Sequence, residues 1–585
     1  MSRGLLAERT RLSMFVLSRG ARRLASRLSV HPLLRWRFAS GRSDRLLIAP
    51  QDLRTADPTR ASEIYGGRFA FAGKVVICDG RSPFELAAPS TEWAEALVEF
   101  GWLRHLRAAD SAITRANARA LIDEWITLQG AWHPVAWKPE VLSRRVITWL
   151  THAPFLLHDA DVRFYRRFMR SLTRQVRYLR GAIGTLRDGL QLLEGLIALN
   201  YAALCMAGQA RLLRPAGRRL IDELQRQILP DGGHISRNPE ALIELLLDLL
   251  PLRQAFGARN VVPPVALINA IDRMMPMLRF FRHGDGGFAN FNGMGPTPPD
   301  LLATVAAYDD ARGKPVASAT HSGYQRLDAR GAVLLIDTGK PPPFSVSHEA
   351  HAGCLSFEFS AKRHRIVVNC GLPGVSRDSW RHLSRTTPAH STVTVDDASS
   401  CRFVGAGSMR RLVGATIVAG PENVPVQRED DEEGVTLLAS HDGYAAPFSV
   451  VHQRRLTLSH DGRRLDGEDR ILPWHGHDLP RNAPDRFAVR FHLHPAVRAN
   501  RLTHRHGVML MLPNREVWLF ESHDAEVKLE ESVYLSGGDG PRRTLQIVIY
   551  ALARRSPDIA WSFVHADPTK GGAESRPAEE PELPL

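Results

Sequence analysis

Three short segments of this 585-residue chain gather the side chains that proton transfer, metal binding or anion recognition require. The first is Asp231-Gly-Gly-His234 followed by Ser236-Arg237-Asn238. The second is His348-Glu349-Ala-His351, and the third runs from Arg385 to His390. Imidazoles and a carboxylate can exchange protons near neutral pH, and clustered histidines can hold a metal. Arginine forks match carboxylates. A fourth segment, Phe280–Asn292, sets His283, Asp285, Asn290 and Asn292 among glycines and aromatics, a composition that often faces a ligand. Tyr324 adds a phenol. Each feature has a plainer reading. Asp231–Gly233 is first a helix-breaking turn, Ser236 and Asn238 are helix caps, Arg385 can brace a β-layer, and an imidazole can tie a loop to a strand. Phosphate-loop, H-E-x-x-H and G-x-S-x-G patterns are absent, which leaves nucleotide hydrolysis, common zinc proteolysis and α/β-hydrolase chemistry without motif support.

Two kinds of element must position these groups. From about residue 90 to 280 apolar residues recur at helical spacing, over Trp93–Leu106, Ile113–Gln129, Val141–Leu150, Asp161–Arg180, Leu190–Ala207, Ala216–Ile228, Glu240–Ala255 and Pro264–Leu278. Short Gly-, Pro- and His-rich breaks separate them, so a bundle, a solenoid or a closed helical ring is expected. Trp132, Trp137 and Trp149 are expected to fill the helical core. From about 315 short β-rich runs alternate with turns, the pattern of an antiparallel sandwich. Gly284–Ala319 is expected to be the hinge.

Charge and cysteine content narrow the class. The net charge is +14, and residues 1–60 hold thirteen arginines against four acids. An amphipathic basic helix over Leu12–Phe38 is expected there, with no secretory signal around Met14–Leu17. No apolar stretch is long and uncharged enough for a transmembrane segment. Specific nucleic-acid binding has no motif behind it. Five widely spaced cysteines argue against a disulfide framework and, with no clear signal peptide, for a cytoplasmic protein. The residues after Asp567 lack apolar periodicity and are expected to be a disordered tail.

The segments PDGGH with Ser236–Pro239, AHAGCLSFEF (Ala350–Phe359), VVNCG (Val367–Gly371) and RTTPAHSTVTV (Arg385–Val395) occur in an order that resembles the heparinase II/III-like polysaccharide lyases, over about Gly130 to Trp561. That resemblance implies an α+β multidomain architecture, an N-terminal incomplete α/α toroid followed by a C-terminal antiparallel β-sandwich. The implied division is a basic segment at 1–60, the toroid at 61–310, the sandwich at 311–565 and the tail at 566–585. It also implies a carbon–oxygen lyase that cleaves uronic-acid-containing, acidic polysaccharides or oligosaccharides by β-elimination, and a bacterial source. Members with signal sequences work in the periplasm, which makes periplasm or cell envelope the alternative compartment.

Carried over residue by residue, the catalytic set becomes His351, His390, His348, Glu349 and His234. The substrate-binding set becomes Arg237, Asn238, Arg385, Tyr324 and His283. A structural zinc would be held by His351, Asn369 and His390. The match departs from the family in four places. The tyrosine and histidine that follow the family's DGGH turn fall on Ala241 and Leu242. Its toroid Asn-His pair falls near Leu190 and Gln191, its sandwich histidine on Glu349, and its zinc-binding aspartate on Asn369. These departures support an alternative function: a non-catalytic, acidic-glycan-binding or envelope-assembly protein on the same scaffold.

Overall fold

The computed structural model describes Gly20 and residues 45–566, apart from 310–312, 375–377, 406, 408–409, 411–412, 476–478, 480–484, 503–506 and 523–524. Apart from Gly20, the basic helix expected over Leu12–Phe38 lies outside the described residues, as does the expected tail after Asp567.

The first half is an incomplete α/α toroid of antiparallel helices. Its inner helices, Leu190–Cys205 and Glu240–Ala258, are apolar on nearly every face because neighbours cover them all round. Outer helices such as Val162–Ala182 and Ala210–Gln227 keep an arginine-rich solvent face. The single helix expected over Trp93–Leu106 is two, Thr91–Glu99 and Leu103–Ala109, because Phe100 turns left-handed at φ 62° and buries its ring among Trp102, Trp125 and Trp149. Trp137 and Trp149 are core residues, whereas Trp132 is 46% exposed. Two features depart from the expected division. A hairpin, Arg68–Phe71 with Lys74–Ile77, lies between the helix Thr59–Tyr65 and the helix Thr91–Glu99. Residues 45–58, expected in the basic segment, dock on the toroid, where the Arg54 fork pairs with Asp248 at 2.8 Å and Glu244 at 2.9 Å.

The second half is a two-layer antiparallel sandwich. One layer is ordered Val527–Tyr534, Arg542–Leu552, Arg486–Leu493, His364–Val368, Phe357–Ala361, Ala332–Asp337, Tyr324–Ala329 and Ser318–Ala319, with Val393–Val395 also pairing onto Arg486–Leu493. The other is ordered Val426–Asp430, Gly434–His441, Val450–Ser459, Arg464–Pro473, Asp558–His565, Val517–Ser522, Gly507–Met511 and Arg498–Arg501. Strand Ala332–Asp337 explains how the halves join. All six of its residues are buried. Leu334 and Ile336 pack into the sandwich core, while Val333 and Leu335, on the opposite face, pack into the toroid core. A strand covered on both faces reads as a continuous apolar run, as this one does. The expected hinge is correspondingly firm. It carries a helix, Pro299–Ala306, and its loop residues Phe288, Ala289 and Phe291 are buried. The five cysteines are buried and free.

Candidate functional site: the cleft between toroid and sandwich

The loop from Leu229 to Asn238 begins with a turn that only glycine allows. Gly232 has φ +91°, and a Cβ there would meet the Arg273 carbonyl oxygen at 1.8 Å. His234 follows, 2% exposed and fully engaged. The Gln227 side-chain N–H donates to Glu223 at 2.9 Å, so its Oε1 accepts from His234 Nε2 at 3.0 Å. His234 Nδ1 then accepts from the Ser236 backbone N–H at 3.2 Å and lies 2.7 Å from its hydroxyl. Burial pushes this imidazole down to about 4, so it is neutral with its lone pair in use. His234, expected among the catalytic residues, orders the loop.

The expected substrate-binding groups share one feature: most of their polar atoms are engaged inside the protein. Arg237 donates to the carbonyls of Ser322 (2.7 Å), Gly323 (3.0 Å) and Lys340 (2.8 Å), pairs with Asp337, and stacks over Tyr324. Tyr324 donates its hydroxyl to the Arg237 carbonyl at 2.6 Å. Asn238 caps the helix Glu240–Ala258, accepting from the Glu240 N–H at 2.9 Å. Arg385 is 3% exposed and donates to the carbonyls of Ala350 (2.8 Å) and Ser347 (3.0 Å), bracing the loop that carries His348 and Glu349. His283 lies between Glu358 (3.1 Å) and Ser360 (2.9 Å), and both Glu358 and the His283 side chain are buried.

His351 and His390 do meet, with Nδ1 of the first 2.9 Å from Nε2 of the second. The His390 Nδ1 is 2.8 Å from the Thr386 carbonyl, which can only accept. His390 Nε2 is therefore the acceptor, and His351 Nδ1 donates to it. His351 Nε2 is left buried without a partner, 4% of the residue being exposed. Burial holds His390 down near 4, and burial together with the neighbouring His390 ring and Arg385 holds His351 well below the usual imidazole range. Asn369, the third member of the expected zinc set, already accepts the Ser391 N–H on Oδ1 at 2.9 Å. Two imidazoles that bond to each other and one occupied neutral amide do not fit a zinc of the family's two-histidine, one-carboxylate type. The contact between the two rings ties the loop at His351 to the turn at His390.

Carboxylates from the two halves come together beside this loop. Glu349 packs its Cβ against Gly293, where an added Cβ would lie 3.2 Å away, close to the Asn238 amide. Glu240, at the start of its helix, feels both Glu349 from the sandwich and Glu244 one turn along. Burial and these two carboxylates push it up to about 7, against the pull of Arg381. Ala241 and Leu242, where the family's tyrosine and histidine would fall, are 3% and 1% exposed and point into the toroid core. Behind Glu244 runs a charge ladder: Asp248 binds Arg54 at 2.8 Å and Arg144 at 2.9 Å, and Arg144 also pairs with Glu194. Sequence reasoning missed Glu240, Glu244 and this ladder. The signal was the spacing Glu240, Glu244, Asp248, three carboxylates on one face of a helix that is otherwise apolar. His348 is half-buried and near enough to disfavour a charge on His234.

A helical toroid joined to a two-layer antiparallel sandwich is the architecture of the solved heparinase III structures, and this chain belongs to the heparinase II/III-like family. The model of the heparinase II/III-like C-terminal region matches residues 311–562. FtsZ-localized protein C of Caulobacter vibrioides is 33% identical over 542 residues, covering 91% of this chain and 92% of that protein. Among solved structures, heparinase III superposes with a TM-score of 0.64 at 13% identity, over 83% of this chain and 79% of that one. A mutant of heparan sulfate lyase HepC from Pedobacter heparinus gives 0.61 at 15% identity, over 88% and 84%. At such identities the two structures establish the fold.

Proposed function

We propose that this chain is a heparinase-fold protein that works by binding, as a component of a bacterial division or envelope assembly in the cytoplasm. One observation carries the reading. β-Elimination from a uronate needs a group that neutralises the substrate carboxylate, and instead Glu240 and Glu349 crowd together where toroid and sandwich meet. The similarity to an FtsZ-localized protein along nearly the whole chain agrees with an assembly role.

A second reading, a lyase acting on an acidic polysaccharide, has one observation in its favour. Glu240 is held near 7, the range suited to a general acid or base, and His348 lies on the loop that faces the same cleft. One pair of experiments separates the two. A fluorescent fusion of the full chain should gather at the division site with FtsZ, while the purified protein leaves the ultraviolet absorbance of unsaturated uronates flat on every uronate polymer tried. Turnover that disappears in Glu240→Gln or His348→Ala would replace the first reading with the second.

A further inference from the structure

On the seam between the two halves lies a cavity of about 360 Å3, at the small end of the range for small-molecule sites. It is lined by the loop that begins at Arg282, the helix Pro299–Ala306, and sandwich residues Arg365, Tyr534 and Ser536. It opens to solvent beside the exposed Pro299 and Ala303. Its size suits one ring rather than a polymer chain.

The charges within it are unevenly used. Asp285 is neutralised by Arg365, whose Nε lies 2.8 Å from one carboxylate oxygen and whose Nη2 lies 3.2 Å from the other. Arg365 Nη1 donates to the Phe288 carbonyl at 2.9 Å. Arg282 spends only its Nε, on the Gly286 carbonyl at 3.2 Å, and its terminal nitrogens have no partner among the described residues. Arg365 also lies 3.7 Å from the buried Glu358 carboxylate, so Arg282 is the guanidinium of the lining whose terminal nitrogens stay available. Ser536 is 7% exposed, and its buried hydroxyl has no partner. Leaving such a group unsatisfied is unfavourable, and a ligand hydroxyl that reached it would relieve the loss. The hydroxyl is seated deliberately close to the backbone: a Cβ on Gly371 would fall 1.9 Å from it. The Asn290 amide, 3.5 Å from the Asn369 carbonyl and hydrogen-bonded to Tyr534, adds a second polar group beside it. Leu302 and Ala303 supply an apolar wall.

We propose that this pocket binds a small hydroxylated anion of single-sugar size, with Arg282 holding its carboxylate or phosphate and Ser536 and Asn290 its hydroxyls. The site is separate from the acidic cleft and independent of the assembly role. Asn290 lines the pocket, while Gly293, three residues on, packs against Glu349. A bound ligand would therefore rest on the same loop that supports the cleft.

Calorimetric titration of the full chain with D-glucuronate, D-glucose 6-phosphate and neutral D-glucose tests this. Saturable binding of either anion, with glucose weaker by at least about tenfold, is expected, since a charge-assisted fork contributes on that scale. The arm that binds identifies carboxylate or phosphate as the anion. Arg282→Ala should abolish the preference for anions over glucose. Ala303→Phe, a change at an exposed helical position that fills the mouth, should block binding while thermal unfolding stays as in the unaltered chain. Equal binding of glucose, no binding of any probe at millimolar concentration, or anion binding that survives Ala303→Phe would each overturn the proposal.

Discussion

Arg237 and Asp337, a hundred residues apart, form a buried ion pair that locks the toroid's Asp231–Asn238 loop onto the sandwich. The other Asp337 oxygen accepts the Asn292 amide at 2.9 Å, and the same amide nitrogen lies 2.7 Å from the Tyr324 hydroxyl oxygen. Three segments that sequence reading assigned to substrate thus converge on one carboxylate and join the two halves.

Asp337→Ala leaves the guanidinium buried without a counter-charge and should cost about 3–5 kcal/mol. Asp337→Asn keeps one hydrogen-bond acceptor and should cost less. Urea denaturation of both variants measures this. A loss below about 1 kcal/mol for the alanine variant would mean the pair does not hold the halves together.

Acid should destabilise the protein well above the usual carboxylate range. His234 and His390 are pushed down to about 4 and His492 to about 3, all by burial. Unfolded histidines take up protons near 6.5, so between about 6.5 and 4 the unfolded state binds more. The stability these groups contribute is complete above that window and lost as pH falls through it. In His234→Gln the stability–pH slope in that interval should ease by up to about 1.4 kcal/mol per pH unit, one proton's worth. An unchanged slope in pH-dependent melts would show that His234 is not buried neutral.

Glu240 acts with the opposite sign. Its folded value near 7 exceeds the 4.5 of a free glutamate, so the folded state holds the proton between those values, and stability falls as pH rises through them. Glu240→Gln should stabilise the protein above pH 7 by about 1–2 kcal/mol, allowing for solvent screening, and should be neutral below about pH 4.5. An equal effect at both ends of the range would contradict the crowding of carboxylates in the cleft.

Zinc is expected to be dispensable. The melting temperature should not change on chelation, because the His351–His390 hydrogen bond needs no metal. Asn369→Asp restores the missing carboxylate. Without metal it should destabilise the chain by about 1–3 kcal/mol, since it buries a charge, and zinc should reverse the loss. One zinc per chain retained by the unaltered protein after chelation, by metal analysis, would refute the assignment.

Much of the scaffold was legible because it rests on local pattern. The run Glu240–Ala255 and the strand Arg464–Ile471 carry their periodicities in plain view, and the structure places them at Glu240–Ala258 and Arg464–Pro473. Val426–Asp430 was not legible: it is an edge strand whose residues are mostly exposed, so no alternation marks it. Tyr324–Ala329 and Val527–Tyr534 escaped notice as well. Their register comes from partners far along the chain.

The sequence by itself determined two halves, one helical and one of antiparallel strands, and put Ala241, Leu242, Glu349 and Asn369 at the positions where the family resemblance calls for other residues. Hydrophobic period and residue identity are properties of a few neighbouring positions, and they survive without coordinates. Only tertiary structure decided which polar groups remain available. Arg237 and His283 read as ligands until Asp337 and Glu358 are brought against them from 100 and 75 residues away. Glu240 reads as an ordinary helix-start carboxylate until Glu349 approaches from the other half. Whether a charged group is spent or free depends on burial and on its counter-charge, and both are set by contacts between segments distant in the chain.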